Sequence, residues 1–459
     1  MYWPARSIPL MTCACLLALS SMTLARQTPG GITPNPTRTA NPSIITRSVR
    51  PARTTHIATI KQALLNVFNS QQESTKTWSD TGVRALALRH ALQDALRQSI
   101  LEGLTANNDE EIFTLTKAET EILHNADMEK WERIYIATAL YLGWIYLRGE
   151  GAEAALSYDG VSPLYDSRDK TTVASTLSRV TTAQDLQAWL SSFLPGTPEY
   201  GLLKDSLAAS LYTNNTESFF RLCRAINDYR FIHHFHFDRL IVINIPSAAL
   251  RYYVDDTLQL SMKIVAGQPS KRTPRFAGWC DGLVLYPYWN VPERIIRQEL
   301  FLLLRFNPGL ANTMELQLLD KNDRIVDPTS IQWAQYTGTN FPYRIRQTPG
   351  CWNALGVLKF NLTDPFNVYM HDTNLKNIFE NDYRYYSHGC IRLERPISLG
   401  LALTNGQLDT AALLACYKDR RPVPLPLPKP VPVFVIYNTV GVDSGDTLRW
   451  YKDIYHLHM

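Results

Sequence analysis

Apolar residues recur at helical spacing through the first half of the chain and alternate with a period of two from about residue 238 onward. Ile60, Leu64, Leu65, Val67 and Phe68 line one stripe, and Trp131, Ile134, Tyr135, Thr138 and Leu142 another. Both read as core faces of amphipathic helices, so residues 56–237 are expected to form a helical scaffold. The segment 193–200 contains Pro195, Gly196 and Pro198, breakers that end one helix and open the next.

Beyond Asp238 the run 240–245 reads as a buried strand, 250–254 as the second arm of a hairpin and 258–265 as a third strand. Further strands are expected at 355–362, at 366–370, which leaves His371 at a strand end, and at 432–440. A short helix is expected over 396–415, and the proline-rich stretch 422–430 reads as an extended edge or spacer. The prediction is an α+β chain, a helical N-terminal scaffold domain followed by a mostly β domain over 238–459. Between 291 and 346 the pattern gives way to a helix-like part, 294–304, and a polar, turn-rich remainder. An insertion of this length beside a sheet is expected to be a helical lid, with plain packing as its alternative.

The N-terminal end bears on compartment. Arg6 precedes an apolar run from Ile8 to Leu19, and Thr23, Leu24 and Ala25 stand where a signal peptidase reads small residues. Residues 1–25 are therefore expected to be a signal peptide, with an uncleaved anchor as the second reading, and the mature protein to be exported and periplasmic. Cys13 and Cys15 lie inside this segment, without the small residues that precede a lipidated cysteine. Residues 26–55 are rich in Pro, Thr, Asn and Gly and carry Arg26, Arg38, Arg47, Arg50 and Arg53 but no acidic residue. They read as a disordered basic linker, able to rest on an anionic membrane or wall surface. The formal charge of +4 is more than covered by Arg6 and these five arginines, so the rest of the chain is near neutral. Nothing in that balance points to a nucleic-acid partner.

Candidate chemistry is concentrated in 369–392, where His371, Ser387, His388, Gly389, Cys390 and Arg392 supply a base, a thiol and a cation. A free cysteine is mostly protonated at neutral pH, and a neighbouring imidazole corrects this, so His371 or His388 is expected to take the thiol proton. Gly389 lets a carbonyl approach the backbone, which makes the amides around Gly389 and Cys390 a candidate oxyanion hole. A lone Gly-Cys pair is by itself more often a small buried hydrophobe than a nucleophile; the wider pattern separates the two. Setting Cys13 and Cys15 aside leaves Cys223, Cys280, Cys351, Cys390 and Cys416, an odd number in an oxidising compartment. One thiol is expected free, Cys390, and Cys280 with Cys351 is the expected disulfide.

The spacing from His371 to Ser387-His388-Gly389-Cys390 and then Arg392 resembles the signature of the YkuD-type L,D-transpeptidase catalytic domain. The likeness extends over roughly 238–455 through the run 240–246, Val265 to Pro269, Thr273-Pro274, Pro287 to Pro292, Arg344 to Gln347, Asn353 to Gly356 and Asp453 to Tyr455, which look like the YcbB-type branch. Residues 185–230 resemble that branch's helical scaffold more weakly. The resemblance implies an exported cell-wall enzyme acting on peptidoglycan stem peptides as donor and acceptor, without cofactor or metal, and open to acylation by carbapenems. It implies Cys390 as nucleophile and His371 as general base and acid. It further implies that His388 and Gly389 shape the nucleophile loop, Ser387 braces it, Arg392 orients it or meets a substrate carboxylate, and Tyr369 and Trp289 line the cleft. Aromatic core is the alternative for the last two. Unlike many members of that branch, this chain leaves too little sequence at 212–237 for a peptidoglycan-binding module.

Three other readings stand beside transfer. Water in place of an amine gives an L,D-carboxypeptidase or cell-wall amide hydrolase with the same Cys/His pair. A zinc site from His233, His234, His236, His371, His388 and Cys390 has no Cys-x-x-Cys or His-Glu-x-x-His spacing, and 231–237 reads as a half-exposed strand or turn. A catalytically silent wall-binding protein needs no thiol, base and arginine together. Oligomeric state is not legible.

Overall fold

The structure is a computed structural model that describes residues 50–71, 77–104, 108–124, 127–150, 161–213, 215–416, 420–443 and 447–457. The expected signal peptide and all but the end of the expected linker lie outside the described residues. That end, 50–55, departs from the prediction. Helix α1 spans Arg50–Gln71, with Pro51 in its first turn, where the missing N–H costs no intrahelical bond.

Seven further helices follow: α2 Val83–Gln98, α3 Asn108–Leu123, α4 Met128–Arg148, α5 Val161–Leu177, α6 Ala183–Ser191, α7 Pro198–Tyr212 and α8 Thr216–His233. Leu64, Phe68, Leu88, Leu92, Tyr135, Leu142 and Trp189 share one core, as the helical stripes predict. Their starts are written locally: Thr182 and Asp185 form a capping box on α6, Thr197 caps α7 ahead of Pro198, and Asn215 caps α8. The 231–237 segment is not a strand, because Phe231 to His233 close α8 and Phe235 and Phe237 pack with Phe434 at the sheet.

The second half is built around a nine-stranded sheet whose strands are β1 Arg239–Asn244, β2 Ala249–Val254, β3 Thr257–Gly267, β4 Phe276–Leu285, β5 Leu358–Leu362, β6 Met370–His371, β7 Tyr385–Ser387, β8 Ile391–Leu393 and β9 Val423–Ile436. Their order is β7-β3-β8-β6-β5-β4-β9-β1-β2, and β2 also pairs with β3. Strand β3 runs against β2 over Thr257 to Lys263 and against β8 at Ile264 and Val265, so the sheet closes on itself like a barrel. Ile241, Ile243, Leu250, Ile264, Phe360, Met370, Ile391, Leu393, Val433 and Val435 fill the core, which also takes Leu399 and Leu403 of a helix at Pro396–Leu403.

The proline-rich stretch belongs to β9. Pro424, Pro426, Pro428, Pro430 and Pro432 fall on every second residue, so the intervening residues keep the N–H groups that pair with β4. Strand β1 pairs with β9 only from Val433 onward, which leaves the proline half as the free edge expected of such residues. The helical half meets the sheet through a buried Asp228 on α8, paired with Arg275 at 3.2 Å just ahead of β4. Leu203, Leu207, Leu222 and Ile226 of α7 and α8 pack with Val440 and Val442.

Asn290–Thr348 forms a compact unit of its own. It is not simply a helical insertion. A helix over 293–306, with a π turn at Ile296–Leu300, is joined by antiparallel strands Leu316–Leu319, Ile325–Val326 and Arg344–Gln347. Phe301, Trp333 and Phe341 form its aromatic core, with Trp333 and Phe341 stacked at 5.1 Å. The strands are short and bounded by polar turns, so their alternation is lost in a polar stretch.

Candidate active site

The alternation that buries Met370, Phe360 and Ile391 turns their neighbours to the other face. In the register, His371 lies opposite Lys359 on β5 and opposite Arg392 on β8, and Cys390 directly precedes Ile391, the partner of Met370. Lys359, Tyr369, His371, Cys390 and Arg392 therefore share one face of the sheet.

His371 is 5% exposed, and its Nδ1 donates to the main-chain carbonyl of Asp372 at 2.5 Å, which leaves Nε2 as the proton acceptor. Burial, followed by the Arg392 guanidinium, pushes the imidazole down to about 3; the Asp372 carbonyl opposes this, and Lys359 adds to it. The ring is thus neutral at physiological pH. Asp372 is itself fixed. Its carboxylate accepts from the amides of Val357 at 3.0 Å and Thr373 at 2.7 Å and pairs with Lys376. Gly356, at φ +57°, leaves no room for a side chain against that carboxylate.

Cys390 is half-buried at the end of a tight loop. Ser387 Oγ donates to the Cys390 carbonyl at 2.6 Å and accepts from the Gly389 amide at 3.1 Å. Gly389 has φ +127°, a conformation side chains rarely adopt. Its carbonyl accepts from Thr273 Oγ1 at 2.7 Å, and Thr273 Oγ1 accepts from the Gly267 amide at 2.9 Å. Tyr455, buried, donates its hydroxyl to the Gly267 carbonyl at 2.6 Å and receives the Thr273 amide. Burial pushes the Cys390 thiol up, while the Tyr369 main chain and phenol and the Lys359 ammonium pull it back.

The sequence-predicted residues are distributed unevenly over this site. Tyr369, His371, Cys390 and Arg392 come together, and Ser387 and Gly389 build the loop. The Gly389 amide is spent on Ser387, so the expected pair of oxyanion amides narrows to that of Cys390, which has no hydrogen-bond partner among the described residues. His388 is exposed. Trp289 is half-buried and makes no hydrogen bond or ring contact with Tyr369, His371 or Cys390 among the described residues. Lys359, Asp372, Thr273 and Tyr455 are site residues that sequence reasoning missed. The strand alternation around Phe360 carried a signal for Lys359, and Thr273 and Tyr455 fall in runs that carried the family resemblance without a role being assigned to them.

The expected disulfide is corrected. Cys351 pairs with Cys416, with Cα atoms 5.3 Å apart, whereas Cys280 is a fully buried free thiol on β4. A strand residue facing the core cannot reach an exposed turn, while the end of the helix Thr410–Leu414 brings Cys416 to it. Cys223 is also free and buried, so three thiols rather than one are unpaired among the described cysteines. The histidines at the end of α8 are structural: His234 bridges the Phe231 carbonyl and Asp169, and His233 meets Asp256.

The profile of the L,D-transpeptidase catalytic domain, YkuD, matches residues 238–403. A putative L,D-transpeptidase of Haemophilus influenzae is 34% identical over 219 residues, 47% of this chain and 44% of that protein, so the chain spans less than half the length of this relative. An L,D-transpeptidase from Mycobacterium smegmatis aligns over 43% of this chain and 58% of its own at 16% identity, with a TM-score of 0.21. The catalytic domain of the E. faecium L,D-transpeptidase, solved acylated by ertapenem, aligns over 43% of this chain and 97% of its own at 13% identity, also at 0.21. Residues 238–403 thus match the YkuD-type L,D-transpeptidase catalytic domain, and the likeness to a protein described as a putative L,D-transpeptidase agrees with that match.

Proposed function

We propose that the chain is a peptidoglycan L,D-transpeptidase in which Cys390 is the nucleophile and His371 the general base and acid. The observation that carries the reading is the pairing of β6 with β8, which sets a neutral imidazole with a committed Nδ1 on the face that bears the thiol.

In the proposed cycle His371 Nε2 takes the Cys390 proton as sulfur attacks the carbonyl at the L-centre of the stem's diamino acid. The tetrahedral oxyanion meets the Cys390 amide. Collapse returns the proton from His371 to the leaving nitrogen and releases the terminal D-alanine as an amine, leaving a thioester. An acceptor amine then attacks with His371 taking its proton, and the thiol is restored. Water in place of that amine makes the protein an L,D-carboxypeptidase. Ser387, Thr273 and Tyr455 act by holding the loop, and Arg392 by facing His371.

Export to the periplasm belongs to the same proposal, supported by the N-terminal apolar run and by the Cys351–Cys416 disulfide, a bond that persists in oxidising compartments. Contact of the basic linker with an anionic wall or membrane surface, and a lid role for residues 291–346, are proposed on the same footing. Incubating the full-length protein with disaccharide-tetrapeptide and identifying products by mass spectrometry tests the reading. Cross-linked dimer with loss of D-alanine is expected, tripeptide alone assigns hydrolysis, and unchanged substrate overturns both in favour of a silent wall-binding protein.

A further inference from the structure

Lys359 is the charged neighbour of the thiol that the reaction scheme above does not use. It is the Cα partner of His371 across the β5–β6 ladder, half-buried, with Nζ 4.6 Å from the centre of the Tyr369 ring. That ring lies 5.5 Å from the His371 ring, and its phenol and main chain adjoin the Cys390 thiol. Among the described residues the ammonium donates no hydrogen bond and meets no carboxylate within ion-pair distance. A half-buried cation held only against an aromatic face is further stabilised by an anion that forms beside it.

We propose that Lys359 is the counter-cation of the Cys390 thiolate, holding the charge left on sulfur once its proton has moved to His371 Nε2. The inference rests on Cys390 as the nucleophile and assigns Lys359 a positioning role through charge. In the usual Cys/His pair the imidazolium balances the thiolate. Here His371, buried beside two cations, is neutral at rest, so Lys359 supplies a fixed positive charge in addition to the imidazolium that forms only as the proton moves. The groups facing this centre are Tyr369 just ahead of β6, His371 on β6, Lys359 from β5, Arg392 from β8 opposite His371, and Asp364 from the β5–β6 connection. His388 is exposed on the nucleophile loop, and Asp281 on β4 acts on Lys359. Asp364 opposes the thiolate and Lys359 favours it; Arg392 acts on His371 and Tyr369. Burial lowers the affinity of Lys359 for its proton, while the thiolate and Asp281 restore it, so the ammonium and the thiolate support each other.

The test is the pH dependence of Cys390 alkylation by iodoacetamide in the full-length protein, read on the Cys390 peptide by mass spectrometry. Buried Cys223 and Cys280 label slowly. Lys359→Met and Lys359→Gln are each expected to move the inflection upward and to slow alkylation at neutral pH by about tenfold, one pH unit of thiol acidity. Lys359→Arg keeps the charge and is expected to stay close to wild type. Thermal melts identify a variant that has not folded, and the remaining neutral variant then carries the comparison. An unmoved inflection in a folded neutral variant overturns the proposal, and so does a rise in KM alone, which assigns Lys359 to substrate binding. Failure of wild-type Cys390 to form an acyl adduct with a carbapenem counts against Cys390 as nucleophile, and that outcome is read separately from thiol acidity.

Discussion

His371 donates its Nδ1 proton to the main-chain carbonyl of Asp372, the next residue, at 2.5 Å, so a base is oriented by backbone rather than by a third side chain. The Asp372 carboxylate serves that carbonyl indirectly, by pinning the turn to Val357 and Thr373. Orientation of the base is thereby tied to a loop that admits only glycine at 356.

Cys390→Ala and His371→Gln are each expected to abolish acyl transfer, the second by roughly 100-fold or more, the ordinary worth of a positioned base. Both should melt close to wild type. Products from disaccharide-tetrapeptide and carbapenem adducts by intact-mass spectrometry check this, and near-full activity of His371→Gln moves the base role to His388.

Stability is expected to fall as pH drops below about 6.5. Buried His371 stays neutral down to about 3, while in the unfolded chain it takes up a proton near 6.5. Its contribution is complete above the unfolded value and is lost progressively as pH falls toward the folded one. Thermal melts across this range should show the fall, and His371→Gln should flatten it.

Thr273→Val removes the hydroxyl that links the Gly389 carbonyl to the Gly267 amide and leaves two buried main-chain groups unpaired. A loss of about 2–6 kcal/mol is expected, at roughly 1–3 kcal/mol per group, together with slower acylation of Cys390. Urea unfolding and acylation kinetics measure the two effects, and unchanged acylation removes Thr273 from loop support.

Cys351→Ser or Cys416→Ser is expected to cost about 2–4 kcal/mol, because the bond closes a long loop in the unfolded chain. Cys280→Ser should leave that bond intact. Non-reducing peptide mapping checks the pairing, and a Cys280–Cys351 peptide contradicts it.

Replacing residues 291–346 by a short flexible linker is expected to raise hydrolysis relative to cross-linking, if these residues exclude water from the thioester. The ratio of tripeptide to dimer measures it, and an unchanged ratio in a folded variant rejects the lid.

Much of the chain was legible in one dimension. Local patterns record which face each element buries, so the helical stripes, the strands near 240, 250 and 260 and the loop around Cys390 all follow from spacing. The signature around His371 and Cys390 is local too, because the residues are close in sequence. The partners of those residues are not. Lys359 reaches the site through strand pairing, Thr273 and Tyr455 through the loop they support, and Cys416 reaches Cys351 because a helix end arrives beside an exposed turn. Register and disulfide pairing depend on contacts between distant segments, which no local period encodes. Sequence by itself determined the chemical groups and their faces. Only the closure of the sheet decided which charges stand around the thiol, since burial and proximity set how strongly each is felt.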